Sequence, residues 1–259
     1  MFKIFCKIDD INIPLVSTGT SPFIGAGQFG SKAFEWRTRF LNNPMAMFEI
    51  LEASYGEGAR GIEVIPSGKI VEAAQMMCEK YNDYVITGST NPDKNSGIDV
   101  LVEIGTKLIF VHGMVSDNKG RKLLNLLDEI SSNGIIPGIA THDPIPTIKY
   151  CIENSLNVKA FLIPFNAYGS FMGDKIKLEE IVDNTTNFDF IGMKTLAAGE
   201  IRPDLAFHYI SNHNISAVTI GMVTPQQAQE STKIALKSLT SEKLEINDLH
   251  LKMGNRNKK

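Results

Sequence analysis

Four side chains that can exchange protons or bind a carbonyl oxygen interrupt, or directly follow, short apolar runs of this sequence. Glu63 lies inside such a run, His112 and Lys194 each end one, and His142 follows the run that closes at Thr141. A polar side chain within an apolar segment costs free energy unless it is paired. These positions therefore indicate a site, and the four residues are its first candidates.

The residue types favour proton transfer beside a carbonyl group. An imidazole can act as acid, base, hydrogen-bond donor or metal ligand near neutral pH. A buried lysine can act as a base, a Schiff-base nucleophile or an anion contact. We predict that His112 is the acid or base, that Lys194 stabilises a developing oxyanion and that Glu63 keeps Lys194 charged. The structural alternative is an ion pair between Glu63 and Lys194, with His112 bonded to the backbone.

Other polar residues in or beside the loops that follow strand runs are predicted to bind the substrate: His142, Asn166, Arg202 and Gln28. A metal site made of Glu63, His112 and His142 would suit zinc by residue type. No His-x-x-x-His or Cys-x-x-Cys spacing accompanies these residues, so we predict no metal ion.

The elements that must position these residues alternate along the chain. Apolar runs typical of buried strands occur at 14–20, 60–66, 84–90, 107–115, 135–141, 158–165, 190–196 and 215–222. Helical patterns separate most of them, at 44–56, 70–80, 98–104, 120–132, 144–153 and 178–183, and a further one follows at 225–239. Eight strands with helices between them predict an α/β fold, a (β/α)8 TIM barrel. The alternative is a doubly wound open sheet.

Composition limits the classes of protein that the chain can belong to. Lys and Arg number 26 against 29 Asp and Glu, and 43 % of the 259 residues are hydrophobic. This excludes a disordered chain and a generic binder of nucleic acid. Three scattered cysteines and the lack of a long apolar run predict a cytoplasmic protein that spans no membrane. We predict one domain over 1–259, with a barrel core at about 14–239, an extension at 1–12 that forms a hairpin or plug, and a flexible basic tail at 252–259.

The predicted barrel brings the candidates together. The carboxyl ends of all eight strands form one mouth, where the reacting groups of such barrels lie. Glu63, His112, His142 and Lys194 belong to strands 2, 4, 5 and 7, so we expect them to share one pocket. The loops after strands 7 and 8 contain small residues and precede helices, which suits the binding of a phosphate by backbone N–H groups.

The segment 25–30, Gly-Ala-Gly-Gln-Phe-Gly, has the spacing of a dinucleotide-binding fingerprint. That motif requires an acidic residue at the end of the next strand, whereas the acidic residues about twenty positions on lie in a helical pattern. We therefore interpret the segment as a glycine-rich loop over the barrel. Four aromatic residues in and around it are candidates to close over a ligand: Phe23, Phe29, Phe34 and Trp36.

Several segments resemble a known family. Ile-Gly-Met-Lys-Thr-Leu-Ala-Ala-Gly at 191–199 and Val-Thr-Ile-Gly-Met-Val-Thr-Pro at 218–225 resemble strands 7 and 8 of the aldo/keto reductase barrel. Phe-Val-His-Gly at 110–113 resembles the strand-4 histidine segment of that family, and 135–142 its strand-5 region. The resemblance covers about 14–230. It implies a (β/α)8 barrel that reduces carbonyls with NAD(P)H, using a tyrosine acid supported by aspartate, lysine and histidine.

Only part of that catalytic set has a counterpart here. His112 matches the family's histidine and Glu63 stands near its aspartate, but Ile-Pro-Ser-Gly-Lys at 65–69 holds no tyrosine and Thr-Gly-Ser-Thr at 87–90 holds no lysine. The first hypothesis is therefore an enzyme that acts by acid/base chemistry on a small carbonyl-containing or phosphorylated metabolite, without obligatory NAD(P)H. The alternatives are a divergent NAD(P)H-dependent reductase and a non-catalytic barrel that binds a ligand or a partner.

Overall fold

Eight parallel strands close into a barrel in the computed structural model, which describes residues 4–92 and 95–254, with side chains to residue 240. The ring runs β10-β3-β4-β5-β6-β7-β8-β9. Its strands are β3 (Val16–Gly19), β4 (Gly61–Val64), β5 (Val85–Ser89), β6 (Leu108–Val111), β7 (Ile136–Ala140), β8 (Ala160–Pro164), β9 (Asp189–Met193) and β10 (Ala217–Gly221). The predicted barrel is confirmed, and the open-sheet alternative is wrong because β10 pairs with β3.

Ten α-helices are described, and most of them surround the ring. They are α1 (Lys32–Phe40), α2 (Pro44–Gly56), α3 (Ile70–Lys80), α4 (Ile98–Glu103), α5 (Gly113–Ser116), α6 (Arg121–Ser132), α7 (Pro144–Glu153), α8 (Lys175–Asn184), α9 (Pro203–Ser211) and α10 (Pro225–Gly254). Pro44 begins α2 because its missing N–H would be unpaired there, and the Asn43 side chain accepts a bond from Ala46 N at 3.2 Å. None of the described helices is long and apolar enough to cross a membrane.

Strand alternation decides which side chains enter the barrel. Ile62 and Val64 belong to the hydrophobic core shared with the surrounding helices. Successive side chains of a strand point to opposite faces, so Glu63, which lies between them, faces the interior. A second apolar cluster, which includes Phe110 and Leu162, fills that interior.

An antiparallel hairpin covers the amino-terminal end of the barrel. It consists of β1 (Phe5–Ile8) and β2 (Ile11–Pro14), and it leads directly into β3. Ile8 and Ile13 are 0 % and 2 % exposed and belong to the interior cluster. The open end of the barrel is therefore the one at the carboxyl ends of the strands.

The structure corrects several predicted boundaries. The strand predicted at 107–115 ends at Val111, because His112 caps the short helix α5. Helices α1 and α9 were not predicted, and α10 extends well beyond the predicted 225–239. Of the predicted tail, 252–254 belong to α10 and 255–259 lie outside the described residues.

Candidate active site

The mouth of the barrel contains a cavity of about 890 Å³, here called the mouth cavity. Glu63, His112, His142 and Lys194 all line it, as does Gln28 of the glycine-rich loop. The structure thus brings together all four side chains that the sequence singled out. A mouth blocked by apolar side chains would favour a non-catalytic barrel. Here polar side chains line an open mouth.

Glu63 lies at the floor of the mouth cavity and is 5 % exposed. The Ser89 hydroxyl, on the neighbouring strand β5, donates a hydrogen bond of 2.6 Å to its Oε1. Burial raises the pKa of Glu63 to about 7, although the bond from Ser89 acts in the opposite direction. Near neutral pH this carboxyl group is therefore divided between its protonated and charged forms.

His112 is fixed by the start of helix α5. Its Nδ1 accepts a hydrogen bond from Met114 N at 3.2 Å, and its backbone N donates to Thr90 Oγ1 at 3.1 Å. Burial, with help from the nearby His142 and Lys194, lowers the pKa of His112 to about 4. The ring is therefore neutral at pH 7, and because Nδ1 is an acceptor we assign its proton to Nε2.

His142 stands beside His112 and in front of a carboxylate. The two ring centroids are 5.6 Å apart, and Nδ1 of His142 lies 3.8 Å from Asp117 Oδ2. Asp117 accepts hydrogen bonds from the backbone N of His142 at 3.0 Å and from the hydroxyls of Thr141 and Thr147 at 2.5 and 3.2 Å. Burial and the charge of Lys194 lower the pKa of His142, and Asp117 opposes this shift.

Lys194 follows strand β9 in a left-handed backbone conformation, with φ of 54°. Its Nζ donates a hydrogen bond to Gln28 Oε1 and lies 5.0 Å from the centre of the Phe171 ring. Burial lowers the pKa of Lys194 to about 8. Among the residues that the structure describes, no carboxylate lies within ion-pair distance of Lys194. The expectation that Glu63 pairs with Lys194 is therefore wrong, because Glu63 bonds Ser89 and Lys194 bonds Gln28.

A second cavity, of about 370 Å³, adjoins the mouth cavity. The two share Glu63, Gln28 and Lys194, and the second is lined by the loops after β9 and β10 and by Pro203, the first residue of α9. We call it the side cavity. Three residues of its wall or loop have positive φ: Ala197, Ala198 and Gly199. Thr219 Oγ1, in the wall of this cavity, is buried and has no hydrogen-bond partner within the described part of the chain.

Two predicted substrate-binding residues lie elsewhere. Asn166 is completely buried and lines neither cavity. Its side-chain amide donates a hydrogen bond to Ser170 O at 2.9 Å and accepts one from Ser170 N at 3.0 Å. Arg202 is 78 % exposed and pairs with Asp204 at 2.9 Å. Asn166 stabilises its own loop, and Arg202 faces solvent beside helix α9, so the structure does not bring these two residues together with the other candidates.

The glycine-rich loop separates and partly covers the two cavities. Residues 24–28 line the mouth cavity, whereas Phe29 and Trp36 line the side cavity with their ring centroids 4.8 Å apart. Phe23 is completely buried against Phe40, and Phe34 is 80 % exposed. Of the four aromatic candidates, only Phe29 and Trp36 are placed to touch a ligand.

Some residues of the site were missed by sequence reasoning. Ser89 lies at the end of a predicted strand, and Asp117 lies between the run at 107–115 and the helical pattern at 120–132. Both become visible only through contacts between neighbouring strands. No group of three or more metal-binding side chains occurs among the described residues.

Comparison with known proteins supports the fold. The sequence matches no known family profile and no curated protein. Among solved structures, a protein from Pseudomonas aeruginosa assigned to the aldo-keto reductases aligns with a TM-score of 0.66 and 14 % identity, over 92 % of this chain and 96 % of the other. The chain shares the (β/α)8 barrel fold of solved aldo-keto reductases.

Two further structures agree. An aldo-keto reductase enzyme from a Medee basin deep-sea metagenome library aligns with a TM-score of 0.61 and 13 % identity, over 92 % of this chain and 94 % of the other. A mutant of Gox0644 in complex with NADPH aligns with a TM-score of 0.57 and 11 % identity, over 91 % and 93 %. The resemblance found in the sequence is thereby confirmed for the fold.

Proposed function

We propose that the protein is a carbonyl reductase that uses a nicotinamide dinucleotide and takes its proton from Glu63. The observation that carries the proposal is the meeting of the two cavities at Glu63, Gln28 and Lys194. One compartment suits the carbonyl substrate and the other suits the cofactor. A solved structure with the same barrel fold is a complex with NADPH, which supports a nicotinamide dinucleotide as the cofactor.

The side cavity fits the cofactor by its donor groups. Its loops lie at the amino-terminal ends of α9 and α10, where unpaired backbone N–H groups attract the oxygens of a phosphate. The Thr219 hydroxyl, for which the described residues provide no hydrogen-bond partner, and the Lys32 side chain add donors. Trp36 offers a flat apolar surface. When bound, the cofactor supplies the hydride.

Glu63 replaces the tyrosine acid that the family resemblance implies. The described lining of the mouth cavity contains no tyrosine. Glu63 is buried, and the raised pKa leaves a substantial protonated fraction near pH 7. Ser89 holds Oε1, so the proton belongs on Oε2, from which it can pass to the oxygen of a bound carbonyl.

His112 acts as a neutral hydrogen-bond donor in this proposal. The pKa of about 4 leaves almost no protonated imidazole at neutral pH, so its predicted role as a general acid is replaced. The Nε2–H group instead polarises the substrate oxygen, and its position is fixed by the bond from Met114 N to Nδ1. Lys194 adds a positive charge next to both compartments.

The first test measures cofactor binding through the only tryptophan of the chain. Because Trp36 lines the side cavity, we expect NADH or NADPH to quench its fluorescence at micromolar concentration. Trp36→Phe removes the signal and is the control. A chain that binds neither dinucleotide, by fluorescence and by calorimetry, would contradict the proposal.

The second test measures turnover. Oxidation of NADH and NADPH is followed with a panel of small aldehydes and ketones. Glu63→Gln should lower the rate by about 100-fold or more, because general acid catalysis contributes that much. Glu72→Gln is the matched control, since Glu72 lies on the surface and pairs with Lys69. Equal activity of the Glu63→Gln variant and the wild type would assign the proton to another group.

The mouth cavity also supports a second function that needs no cofactor, because Glu63 as a base and Lys194 as a cation both line it. Glu63 in its charged form can remove a proton from the carbon beside a carbonyl, and Lys194 can stabilise the resulting enolate. In that case the protein exchanges the hydrogen of a bound ketone for deuterium in heavy water without any nicotinamide. Proton NMR measures this exchange, and Glu63→Gln should abolish it.

A further inference from the structure

The mouth cavity contains a cation, Lys194, that has no carboxylate within ion-pair distance among the described residues. The charged or titratable side chains of its lining are Glu63, His112, His142, Lys194 and, at the rim, Arg37. Of these only Glu63 can be negative, and it bonds Ser89. Arg37 is bonded to the backbone oxygen of Ile24 at 3.0 Å and also lacks a carboxylate partner among the described residues. The side chains that line the cavity are therefore positive or neutral in total charge.

A charged lysine in such surroundings is unusual. Burying a charge without a partner is unfavourable, so buried cations are nearly always compensated, and Lys194 is partly buried. Lys194 is held by a neutral partner, Gln28, and by the face of Phe171. Both contacts position the ammonium group without cancelling its charge. An anionic group of a ligand would supply the missing compensation.

The location of the ammonium group limits where that anion lies. Lys194 acts electrostatically on both His112 and His142. It also shares the lining of the cavity with Glu63. An anion bonded to Lys194 therefore lies in the same cavity as the groups proposed to bind the carbonyl oxygen, which favours a substrate that carries both the anion and the carbonyl.

Part of the cavity wall is apolar, although Ser21, Ser67 and Asn91 also line the cavity. Its wall includes Ile65, Leu162 and Met193, and the exposed side chains of Met114 and Phe171 lie at its rim. Such a surface favours an aliphatic or aromatic substituent on the substrate. Gln28, whose oxygen accepts the bond from Lys194, retains its N–H groups for a second contact to the anion.

We propose that the substrate is a small 2-oxo acid with an apolar side chain, and that Lys194 binds its carboxylate while Glu63 and His112 face its carbonyl oxygen. The proposal refines the reductase function and rests on it for the fate of the carbonyl. The binding step itself does not depend on reduction. It can therefore be tested separately from turnover.

The test compares two ligands that differ in the charged group alone. 4-Methyl-2-oxopentanoate and 4-methyl-2-pentanone share the ketone and the branched chain, and a methyl group replaces the carboxylate in the second. Binding is measured by calorimetry with the protein alone and again with NAD⁺, which cannot reduce either ligand. We expect the oxo acid to bind at least about tenfold more tightly in one or both conditions.

Two variants assign this preference to Lys194. In Lys194→Met the oxo acid should bind no more tightly than the ketone, whatever the affinity for the ketone itself, and Lys194→Arg should retain part of the preference because the charge is kept. Thermal unfolding confirms that each variant is folded. Equal affinity for the two ligands in wild type, or an undiminished preference in Lys194→Met, would overturn the proposal.

A third measurement separates anion binding from covalent capture. If Lys194 attacks the carbonyl, an imine forms with loss of water, and sodium borohydride reduces it to a stable amine. If Lys194 only binds the carboxylate, no imine forms. Mass spectrometry of the protein treated with the oxo acid and borohydride should then show the unmodified mass. A mass increase located at Lys194 would make this residue a nucleophile and would overturn its assignment as the carboxylate contact. Turnover without a preference for the oxo acid would overturn this proposal alone and leave the reductase function intact.

Discussion

The imidazole rings of His112 and His142 lie 5.6 Å apart at an angle of 67°, but only His142 has a carboxylate next to it. Asp117 stands 3.8 Å from His142, whereas His112 receives a backbone N–H at Nδ1. Two adjacent residues of one type thus have different partners. The bond from Met114 N to Nδ1 places the proton of the neutral His112 ring on Nε2, and this is the nitrogen from which His112 can donate a hydrogen bond.

His112 should be a neutral Nε2–H tautomer over the whole physiological pH range. The pKa of about 4 results from burial and from the neighbouring His142 and Lys194. Nitrogen-15 NMR of the imidazole groups distinguishes the two tautomers and follows the titration. A midpoint near 6.5, or a proton on Nδ1, would contradict the assigned hydrogen bond from Met114.

The rate of carbonyl reduction should fall as pH rises through about 7, because the proposed donor, Glu63, then loses its proton. Ser89→Ala should move this decline to higher pH. The Ser89 hydroxyl stabilises the charged carboxylate, and its removal raises the pKa of Glu63 further. The measurement is the pH profile of kcat/KM for both proteins. An unchanged profile in Ser89→Ala would show that Glu63 does not control the reaction.

Glu63 should reduce the stability of the folded protein at alkaline pH. Its pKa is raised from 4.5 to about 7 on folding, so the folded state binds the proton more tightly than the unfolded state does. The associated stability is complete below pH 4.5 and is lost as pH rises through 7. At pH 8 the loss amounts to at most about 3 kcal/mol.

Glu63→Gln should therefore remove this part of the pH dependence. Urea unfolding of the variant and the wild type between pH 5 and pH 8 gives the free energies of unfolding to compare. The wild type should become less stable relative to the variant across that interval. A constant difference would mean that the carboxyl group titrates normally in the folded state.

Gly113→Ala should disturb the site without replacing any proposed catalytic group. A Cβ at this position would lie 2.5 Å from Nδ1 of His142, so the imidazole must move. Small misplacements at a reaction centre can reduce rates by about 100-fold. Gly56→Ala is the control, because a Cβ there has no neighbour within 4 Å among the described residues. Activity assays and the NMR signal of His142 report the two effects.

The fold was accessible to sequence reasoning because its barrel strands are short apolar runs and its longer helices are amphipathic. Helices α2, α3 and α7 have the predicted bounds, and Pro44 and Pro144 mark two of their starts. Helix α5 was read as a continuing strand, since Met114 and Val115 extend an apolar run. The strand ends at Val111, because the His112 ring caps the start of helix α5.

The sequence predicts where the site residues lie but does not predict their hydrogen-bond partners. Strand order alone placed Glu63 and Lys194 in one mouth. Their actual partners depend on strand register and on a loop packed across the barrel: Ser89 adjoins Glu63 through β5, and Gln28 meets Lys194 from 166 residues away. No local pattern in the sequence encodes such distances, which explains why the expected ion pair was wrong.

Closure of the ring by β3 and β10 also has a consequence for folding. These strands pair from Val16 with Val218 to Gly19 with Gly221, although almost the entire barrel sequence lies between them. Contacts of such large sequence separation form late and slow the folding of a domain. Until β10 docks, β3 retains an unpaired edge that can add a strand from another chain. Refolding yield should accordingly depend on protein concentration, through competition between closure within one molecule and pairing between two.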